Sequence, residues 1–252
     1  MPPAPEEIGR IPRAGEVSIA YRRRPGKSPT VVFLGGFKSD MSGSKASSVD
    51  AFCAARGQAC LRFDYQGHGE SGGDFEAGTV GLWTEDALAA IDRLTEGPLV
   101  LIGSSMGGWI MLNVALARPE RVRALIGIAA APDFTEDLIW QQMEEPARMM
   151  LETEGVIYET NNYGDDPYAI TKALIDDGRR HLLLRGPIDF TGPVRLLHGQ
   201  RDPDVPWQRS LTLAEKLAGD DVRCIFVKDG DHRLSRDPDL ALLTATLAEV
   251  LE

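Results

Sequence analysis

Short runs of apolar residues recur along the chain, and most are bounded by Gly, Pro, Asp or Ser. A run of this kind between turn-forming residues is typical of a strand that is buried on both faces. The pattern predicts central strands at residues 30–34, 59–63, 98–102, 122–129, 193–198 and 222–227. Residues 16–21 alternate weakly between apolar and polar side chains and predict an outer strand.

Between these runs, apolar residues recur every three or four positions, which places them on one face of a helix. The helices predicted in this way cover residues 45–56, 80–94, 207–217 and 238–251, and helix-compatible composition before Pro119 predicts one more over residues 108–117. Nearly continuous apolar strands that alternate with helices indicate a mostly parallel sheet covered by helices on both faces. We therefore expect residues 1–252 to form a single α/β domain.

One long stretch interrupts this alternation. About 60 residues separate the strand that ends at 129 from the strand that starts at 193, and residues 133–151 have helical spacing. A structureless loop of that length is uncommon in a compact domain, so we expect an inserted helical cap at about residues 133–190. Two roles fit its side chains Trp140, Met143 and Met149: contact with a flexible acyl group as substrate-binding residues, or packing of the cap on the body.

The charge and composition exclude some partners. A net charge of −11 and an isoelectric point near 4.9 argue against nucleic acid, because phosphate binding needs clustered cations. No apolar run approaches the roughly 20 residues of a membrane-spanning helix. The first residues resemble neither a secretory signal nor a transit peptide, so we expect neither.

The three cysteines, Cys53, Cys60 and Cys224, show no metal-ligand or Cys-x-x-Cys spacing. Each lies within or beside an apolar strand or helix pattern, which indicates small buried side chains in a reducing compartment. We expect a cytoplasmic protein, with the mitochondrion as the alternative compartment.

The segment Gly103-Ser104-Ser105-Met106-Gly107 reads Gly-x-Ser-x-Gly and lies between a predicted strand and a predicted helix. A strand-to-helix turn this tight strains the serine backbone and leaves no room for neighbouring side chains, which is why it needs glycine on either side. In that setting the Ser105 hydroxyl projects above the sheet. We predict that Ser105 is a nucleophile; a plain Gly/Ser loop is the alternative.

A serine nucleophile needs a base, and a base needs a carboxylate to orient it. Of the four histidines, only His232 follows the last predicted strand, where the order Ser…Asp…His places the base. A surface-loop histidine is the other interpretation. For the acid we choose Asp202, which is nearer the end of its strand than Asp204. Asp204 would then be solvated or cap the next helix.

Hydrolysis of an acyl bond also needs donors for the tetrahedral oxyanion. We expect the backbone N–H of Met106, directly after the nucleophile, and the backbone N–H of Phe37, after Gly35-Gly36 at a strand end. Chemistry of this kind requires no metal and no organic cofactor.

The order Gly36-Phe37, Gly67-His68-Gly69, Gly103-x-Ser105-x-Gly107, Asp202 and His232 resembles the α/β-hydrolase superfamily across nearly the whole chain. Residues 36–46, 62–65, 103–109, 195–199 and 229–233 are similar to the α/β-hydrolase-domain palmitoyl-protein thioesterases. That group includes a mitochondrial animal enzyme also described as a mycophenolic acid acyl-glucuronide esterase.

The resemblance implies an α/β-hydrolase fold and a serine esterase or thioesterase that acts on an acylated small molecule or an acylated protein. It also implies that Ser105, Asp202 and His232 occupy the triad positions. Two alternatives stay open. One is a catalytically inactive binding module on the same fold, and the other is a small-ester carboxylesterase or lipase with a different cap.

Overall fold

A computed structural model describes residues 5–160 and 167–252 of the chain. Within these residues, one sheet of eight strands has the order β1-β2-β4-β3-β5-β6-β9-β10. Its strands are β1 (Glu7–Pro12), β2 (Ser18–Arg24), β3 (Lys27–Leu34), β4 (Gln58–Phe63), β5 (Leu99–Ser104), β6 (Val122–Ile128), β9 (Val194–Gly199) and β10 (Val222–Val227). A second sheet pairs β7 (Val156–Glu159) with β8 (Tyr168–Thr171).

In the main sheet, six neighbouring strands run parallel, in the order β4, β3, β5, β6, β9 and β10. At one edge, β2 pairs antiparallel with β4, and β1 pairs antiparallel with β2. The predicted central strands and the mostly parallel sheet are confirmed. The predicted outer strand corresponds to β2, but β1 lies outside it at the edge. The pattern did not predict β1, because Ile11 is its one buried side chain.

Helices cover both faces of this sheet, as predicted. They are α1 (Ser44–Arg56), α2 (Val80–Leu94), α3 (Met106–Ala117), α6 (Gln208–Lys216) and α7 (Asp237–Leu251). On one face, Val49 of α1 and Leu247 of α7 share a core cluster with β3, β5 and β6. On the other face, Trp83, Trp109 and Leu213 from α2, α3 and α6 belong to the larger cluster. The sheet therefore separates two apolar layers, and loops at the carboxyl ends of its strands are free to carry polar groups.

The segment between β6 and β9 contains helical turns at Thr135–Ile139 and Trp140–Gln142, then α4 (Glu145–Glu154) and, after β8, α5 (Lys172–Gly178). Its small core consists of Met143, Leu151, Ile157, Ile170 and Ile175. The helical character predicted for residues 133–151 is present. The strands β7 and β8 were not predicted, because each is only four residues long and too short to show alternation.

Two of the sequence predictions reach beyond the described residues. The expected insertion at about 133–190 includes residues 161–166, and the amino-terminal stretch includes residues 1–4; both lie outside the described ranges. Among the helices of the described residues, none is long and apolar enough to cross a membrane. Cys53 and Cys60 are buried, Cys224 is half-buried, and all three are free thiols.

Candidate active site

Ser105 occupies the turn between β5 and α3 with backbone angles φ 53° and ψ −119°. A non-glycine residue with this φ is strained, and the strain persists only where its surroundings hold it. The Ser105 backbone is held on both sides. Its N–H donates to Ile128 O at 2.9 Å, and its carbonyl accepts the N–H groups of Gly108 and Ala131 at 2.8 and 3.1 Å.

The two glycines of the motif allow this turn to pack. A Cβ at Gly103 would overlap the backbone of Gly107, and a Cβ at Gly107 would overlap the carbonyl oxygens of Leu34 and Gly35. The helix α3 therefore starts directly against β3 and β5, and the turn that carries Ser105 is pressed against the loop after β3.

His232 joins Ser105 to a carboxylate. Its Nε2 lies 3.0 Å from Ser105 Oγ, and its Nδ1 lies 2.7 Å from Asp202 Oδ2. An ionised carboxylate only accepts hydrogen bonds, so Nδ1 carries the proton, and Nε2 accepts the Ser105 hydroxyl. The residues predicted separately as nucleophile, base and acid thus lie in one line of hydrogen bonds.

Asp202 is held at both carboxylate oxygens. Oδ1 accepts the backbone N–H groups of Asp204 and Val205, each at 2.9 Å. Oδ2 accepts from His232 and, at 3.1 Å, from His198 Nε2. Burial alone would raise the pKa of the Asp202 carboxyl, but hydrogen bonds from His198 and His232 hold that pKa well below its usual value. The Asp202 carboxylate is therefore ionised at neutral pH.

Asp204, the other candidate for the acid, is exposed and lines the cavity beside Ser105. The following helix, α6, starts at Gln208 after Trp207, whose own side chain makes no cap hydrogen bond. Ligand atoms of Asp202, Asp204 and His232 lie within 4.8 Å of one another, a spacing that could hold a cation. However, each Asp202 oxygen already accepts two hydrogen bonds, which is the arrangement of a proton-transfer network.

The two expected oxyanion donors belong to the turn of Ser105 and to the loop after β3. Met106 is the first residue of α3, and Phe37 follows Gly36 in the loop after β3. A Cβ built on Gly36 would lie 3.4 Å from the Ser105 Cβ, so this loop approaches the nucleophile closely. No described residue accepts a hydrogen bond from the N–H of Phe37 or of Met106. Both residues line the cavity.

His68, for which the sequence predicts no role of its own, supports the same loop. Its Nε2 accepts the Lys38 N–H at 3.2 Å, and its Nδ1 donates to Gln66 O at 3.2 Å. Burial lowers the pKa of His68 to about 4, so the imidazole is neutral and Nε2 stays an acceptor. Since Lys38 follows Phe37, this hydrogen bond restrains the backbone that carries one expected oxyanion donor.

A cavity of about 890 Å³ opens beside Ser105. Residues on its apolar wall include Phe37, Phe134, Leu138, Ile139 and Ile170. The Phe37 ring lies edge-on to the rings of Phe134 and Tyr168, with centroids 6.0 and 5.6 Å away. This wall joins the main core to the small core of the segment between β6 and β9, because Phe37 and Ile139 pack against both.

The expected substrate-binding residues Trp140, Met143 and Met149 are not among the residues that line this cavity, and a substrate-binding role for them stays a prediction. Met143 belongs to the small core, and Trp140 packs against the guanidinium groups of Arg148 and Arg179. Met149 is 61% exposed. The helical turn at Thr135–Ile139 instead contributes Leu138 and Ile139 to the cavity lining. Apolar composition predicted the segment but not which of its faces turns inward.

The remaining cavity wall is polar and includes Lys38, Lys45 and Arg233. The Lys45 ammonium donates to Arg233 O at 2.5 Å and so ties α1 to the loop that carries His232. Burial lowers the pKa of Lys45 to about 8. The cavity therefore has an apolar wall and a polar wall with charges of both signs, because Asp40, Glu159 and Asp204 line it as well.

The sheet topology, the strained serine after β5 and the histidine after β10 define an α/β-hydrolase. Residues 27–175 match the family described as Serine aminopeptidase, S33. The chain belongs to this α/β-hydrolase family, and it is an enzyme of the serine hydrolase class.

More specific relatives are thioesterases. The mitochondrial palmitoyl-protein thioesterase ABHD10 of Mus musculus is 43% identical over 238 residues, which cover 93% of this chain and 79% of that protein. The structure of mouse alpha/beta hydrolase domain-containing protein 10 has a TM-score of 0.90 at 40% identity and covers 97% of this chain and 98% of its own. A protein from Agrobacterium vitis S4 has a TM-score of 0.95 at 40% identity, over 98% and 100% of the two chains. The predicted relationship to the palmitoyl-protein thioesterase group is confirmed.

Proposed function

We propose that this protein hydrolyses ester or thioester bonds of acylated substrates through a Ser105–His232–Asp202 triad and an acyl-enzyme intermediate. One observation carries the proposal: the unbroken line of hydrogen bonds from Ser105 Oγ through His232 to Asp202 at the edge of a large cavity. A serine at its ordinary pKa is a weak nucleophile, and a neutral imidazole within 3.0 Å can take its proton as the attack proceeds.

In the first half-reaction, Ser105 Oγ attacks the acyl carbonyl carbon while His232 Nε2 takes the hydroxyl proton. Asp202 stabilises the imidazolium that forms and keeps its Nδ1–H directed inward. The carbonyl oxygen becomes an oxyanion and accepts the N–H groups of Phe37 and Met106. The tetrahedral intermediate then collapses, the bond to the leaving sulfur or oxygen breaks, and His232 protonates the departing thiol or alcohol. Ser105 is left acylated.

In the second half-reaction, water replaces the leaving group. His232 takes a proton from the water as it attacks the acyl-Ser105 carbonyl, and the same two amides receive the oxyanion. Collapse breaks the bond to Ser105 Oγ, which regains its proton from His232. The products are the free acid and the unchanged enzyme.

The free state of the two amides supports their role as oxyanion donors. Both residues line the cavity, and neither N–H has an acceptor among the described residues. Met106 also opens α3, so the partial positive charge of the helix N-terminus adds to its attraction for an oxyanion.

For the substrate, we propose an acylated protein or acylated small molecule whose acyl chain lies against Phe134, Leu138 and Ile139. We further propose that the segment at about residues 133–190 acts as a cap insertion of a single domain. Its contribution of Leu138, Ile139 and Ile170 to the cavity wall supports this. The related mouse protein is named as a palmitoyl-protein thioesterase, which agrees with a long apolar acyl group. We propose a reducing compartment, the cytoplasm or the mitochondrion, because all three thiols are free.

The test is covalent labelling combined with turnover. We expect wild-type protein to react with a fluorophosphonate probe and to hydrolyse p-nitrophenyl butyrate and palmitoyl-CoA. Ser105→Ala should abolish labelling and turnover without changing the melting temperature. Ser47→Ala, which removes an exposed hydroxyl that donates to the nearby Ser42 carbonyl, should match the wild type.

Three outcomes would overturn the proposal. Turnover retained by folded Ser105→Ala would remove Ser105 as the nucleophile. A wild-type protein that neither reacts with the probe nor hydrolyses either acyl substrate would favour the inactive binding module. Cleavage of an aminoacyl-p-nitroanilide without ester cleavage would favour a peptidase.

A further inference from the structure

His198 is a second histidine in contact with the proposed catalytic acid. It lies near the carboxyl end of β9, four positions before Asp202, and its side chain is fully buried. Its ring does not line the cavity and does not reach Ser105, so it has no direct access to a substrate. Its hydrogen bonds nevertheless lead to the reacting groups.

The partners of His198 determine its tautomer. Nε2 lies 3.1 Å from Asp202 Oδ2 and 3.0 Å from Val205 O, and both of these oxygens can only accept. Nε2 therefore carries a proton and donates. Nδ1 lies 2.7 Å from the hydroxyl oxygen of buried Ser210 on α6. In the neutral imidazole, Nδ1 accepts the Ser210 hydroxyl proton.

Asp202 Oδ2 thus accepts from two imidazoles at once, His198 on one side and His232 on the other. Because Oδ1 is already bound by two backbone amides, these contacts fix the plane of the carboxylate. Loss of the His198 donor would leave Oδ2 with His232 as its one remaining partner among the described residues.

The backbone does not need His198 to bring the acid and base loops together. Arg201 N–H donates to Gly230 O at 2.8 Å, which joins the turn before Asp202 to the turn before His232. Gly199 packs so closely on this second turn that a Cβ there would overlap the Gly230 carbonyl. The His198 N–H is shared between the Asp202 carboxylate and the Val205 carbonyl of the same loop, so it acts on the immediate surroundings of the carboxylate, while the backbone contacts above join the two loops.

We infer that His198 is a positioning residue for the hydrolytic reaction: its Nε2–H, oriented by Ser210, holds the Asp202 carboxylate in the orientation that His232 needs. This inference rests on the proposed function, since it assumes that Asp202 orients the base. It extends the triad into a chain of five side chains that runs from Ser105 at the cavity through His232, Asp202 and His198 to the buried Ser210.

Substitutions at His198 can separate this role from packing. His198→Leu fills similar space without a donor, whereas His198→Gln restores an N–H at a similar distance from the backbone. We expect His198→Leu to lower kcat for p-nitrophenyl butyrate by about 10- to 100-fold with KM nearly unchanged, as misplaced catalytic groups do. His198→Gln should recover most of that loss. Equal kcat values for folded Leu and Gln variants would overturn the inference.

A double-mutant cycle tests whether His198 acts through Asp202. In an Asp202→Asn background, the added His198→Leu change should lower kcat by less than about twofold, because the carboxylate to be positioned is gone. If His198→Leu lowers kcat as much in the Asp202→Asn background as in the wild type, the inference is overturned. If His198→Leu does not fold, Ser210→Ala serves in its place: it leaves the imidazole but removes its anchor. It should lower kcat several-fold, and an unchanged kcat would count against the inference.

The comparison with Ser105→Ala keeps the two hypotheses apart. Full turnover by folded Ser105→Ala would defeat the proposed function itself. An inactive Ser105→Ala together with wild-type kinetics in His198→Leu would defeat only the positioning role.

Discussion

His232 Nε2 lies 3.0 Å from Ser105 Oγ, although 127 positions separate the two residues in the chain. Ser105 follows β5 and His232 follows β10, and β6 and β9 lie between these strands in the sheet. The carboxyl ends of parallel strands meet at one edge, so residues that leave different strands converge there. The loop after β10 then spans the remaining distance and is held by Lys45 at Arg233 O.

Asp202 should be far more important for turnover than Asp204. Asp202→Asn keeps the shape of the side chain but favours the wrong His232 tautomer, so we expect kcat to fall on the order of 10³- to 10⁴-fold. Asp204→Asn changes an exposed carboxyl and should cost less than about tenfold. Steady-state kinetics with p-nitrophenyl butyrate measure both. A larger loss in Asp204→Asn would assign the acid to the other carboxylate.

The cavity wall should control acyl-chain length. Leu138→Trp places a large ring in the apolar wall beside Ser105, so kcat/KM for p-nitrophenyl palmitate should fall by roughly 10-fold relative to the butyrate ester. Met149→Trp introduces the same ring at a side chain that is 61% exposed. The ratio of its kcat/KM values for the two esters should remain that of the wild type. If both variants shift alike, or if the wild type hydrolyses both esters equally, the acyl chain does not lie on this wall.

Gly107 should tolerate no side chain. In Gly107→Ala the added Cβ would overlap the backbone oxygens of Leu34 and Gly35, which cannot move without separating α3 from β3. We expect a loss of at least about 2 kcal/mol in the free energy of unfolding, or a melting temperature lower by roughly 4–8 °C. Gly186→Ala, whose Cβ meets no atom within 4 Å, should stay within about 0.5 kcal/mol of the wild type. Calorimetry of the two variants makes the comparison, and equal melting temperatures would contradict it.

His68 should make the protein sensitive to acid. The folded protein binds a proton at His68 only near pH 4, whereas the unfolded chain binds one near the ordinary pKa of 6.5. Stability from this group is therefore complete above pH 6.5 and is lost as the pH falls towards 4. From pH 7 to pH 5, the contribution of His68 to the free energy of unfolding should fall by about 2 kcal/mol.

His68→Gln should remove that loss, because glutamine does not titrate. Urea unfolding of both proteins at the two pH values isolates His68 from buried carboxyls such as Asp64 and Asp86, whose raised pKa values act in the opposite direction. The same pH dependence in both proteins would show that His68 is not buried in its neutral form.

Much of the fold followed from local patterns. The apolar runs at 98–102 and 222–227 and the turn at Gly103–Gly107 are properties of a few neighbouring residues, and they appear as β5, β10 and the turn before α3. Elements with few buried side chains escaped prediction. β1 buries only Ile11, and β7 and β8 are too short to show a period.

The lining of the cavity could not be predicted in the same way. Leu138, Ile139, Trp140 and Met143 are all large and apolar, and their order alone does not say which of them faces Ser105. The answer depends on a helical turn at Thr135–Ile139 and on the packing of α4 against β7. Met143 turns into the small core and Ile139 reaches the cavity as a result.

The sequence by itself determined the class of fold, the order of Ser105, Asp202 and His232 after successive strands, and the choice of each as a candidate for its role. These follow from apolar spacing and from side-chain chemistry, which are local. Only the tertiary structure decided that His68 holds the loop of Phe37, that Leu138 and Ile139 form the cavity wall, and that His198 meets Asp202. Each of these depends on distances between separate elements, and those distances exist only once the sheet has assembled.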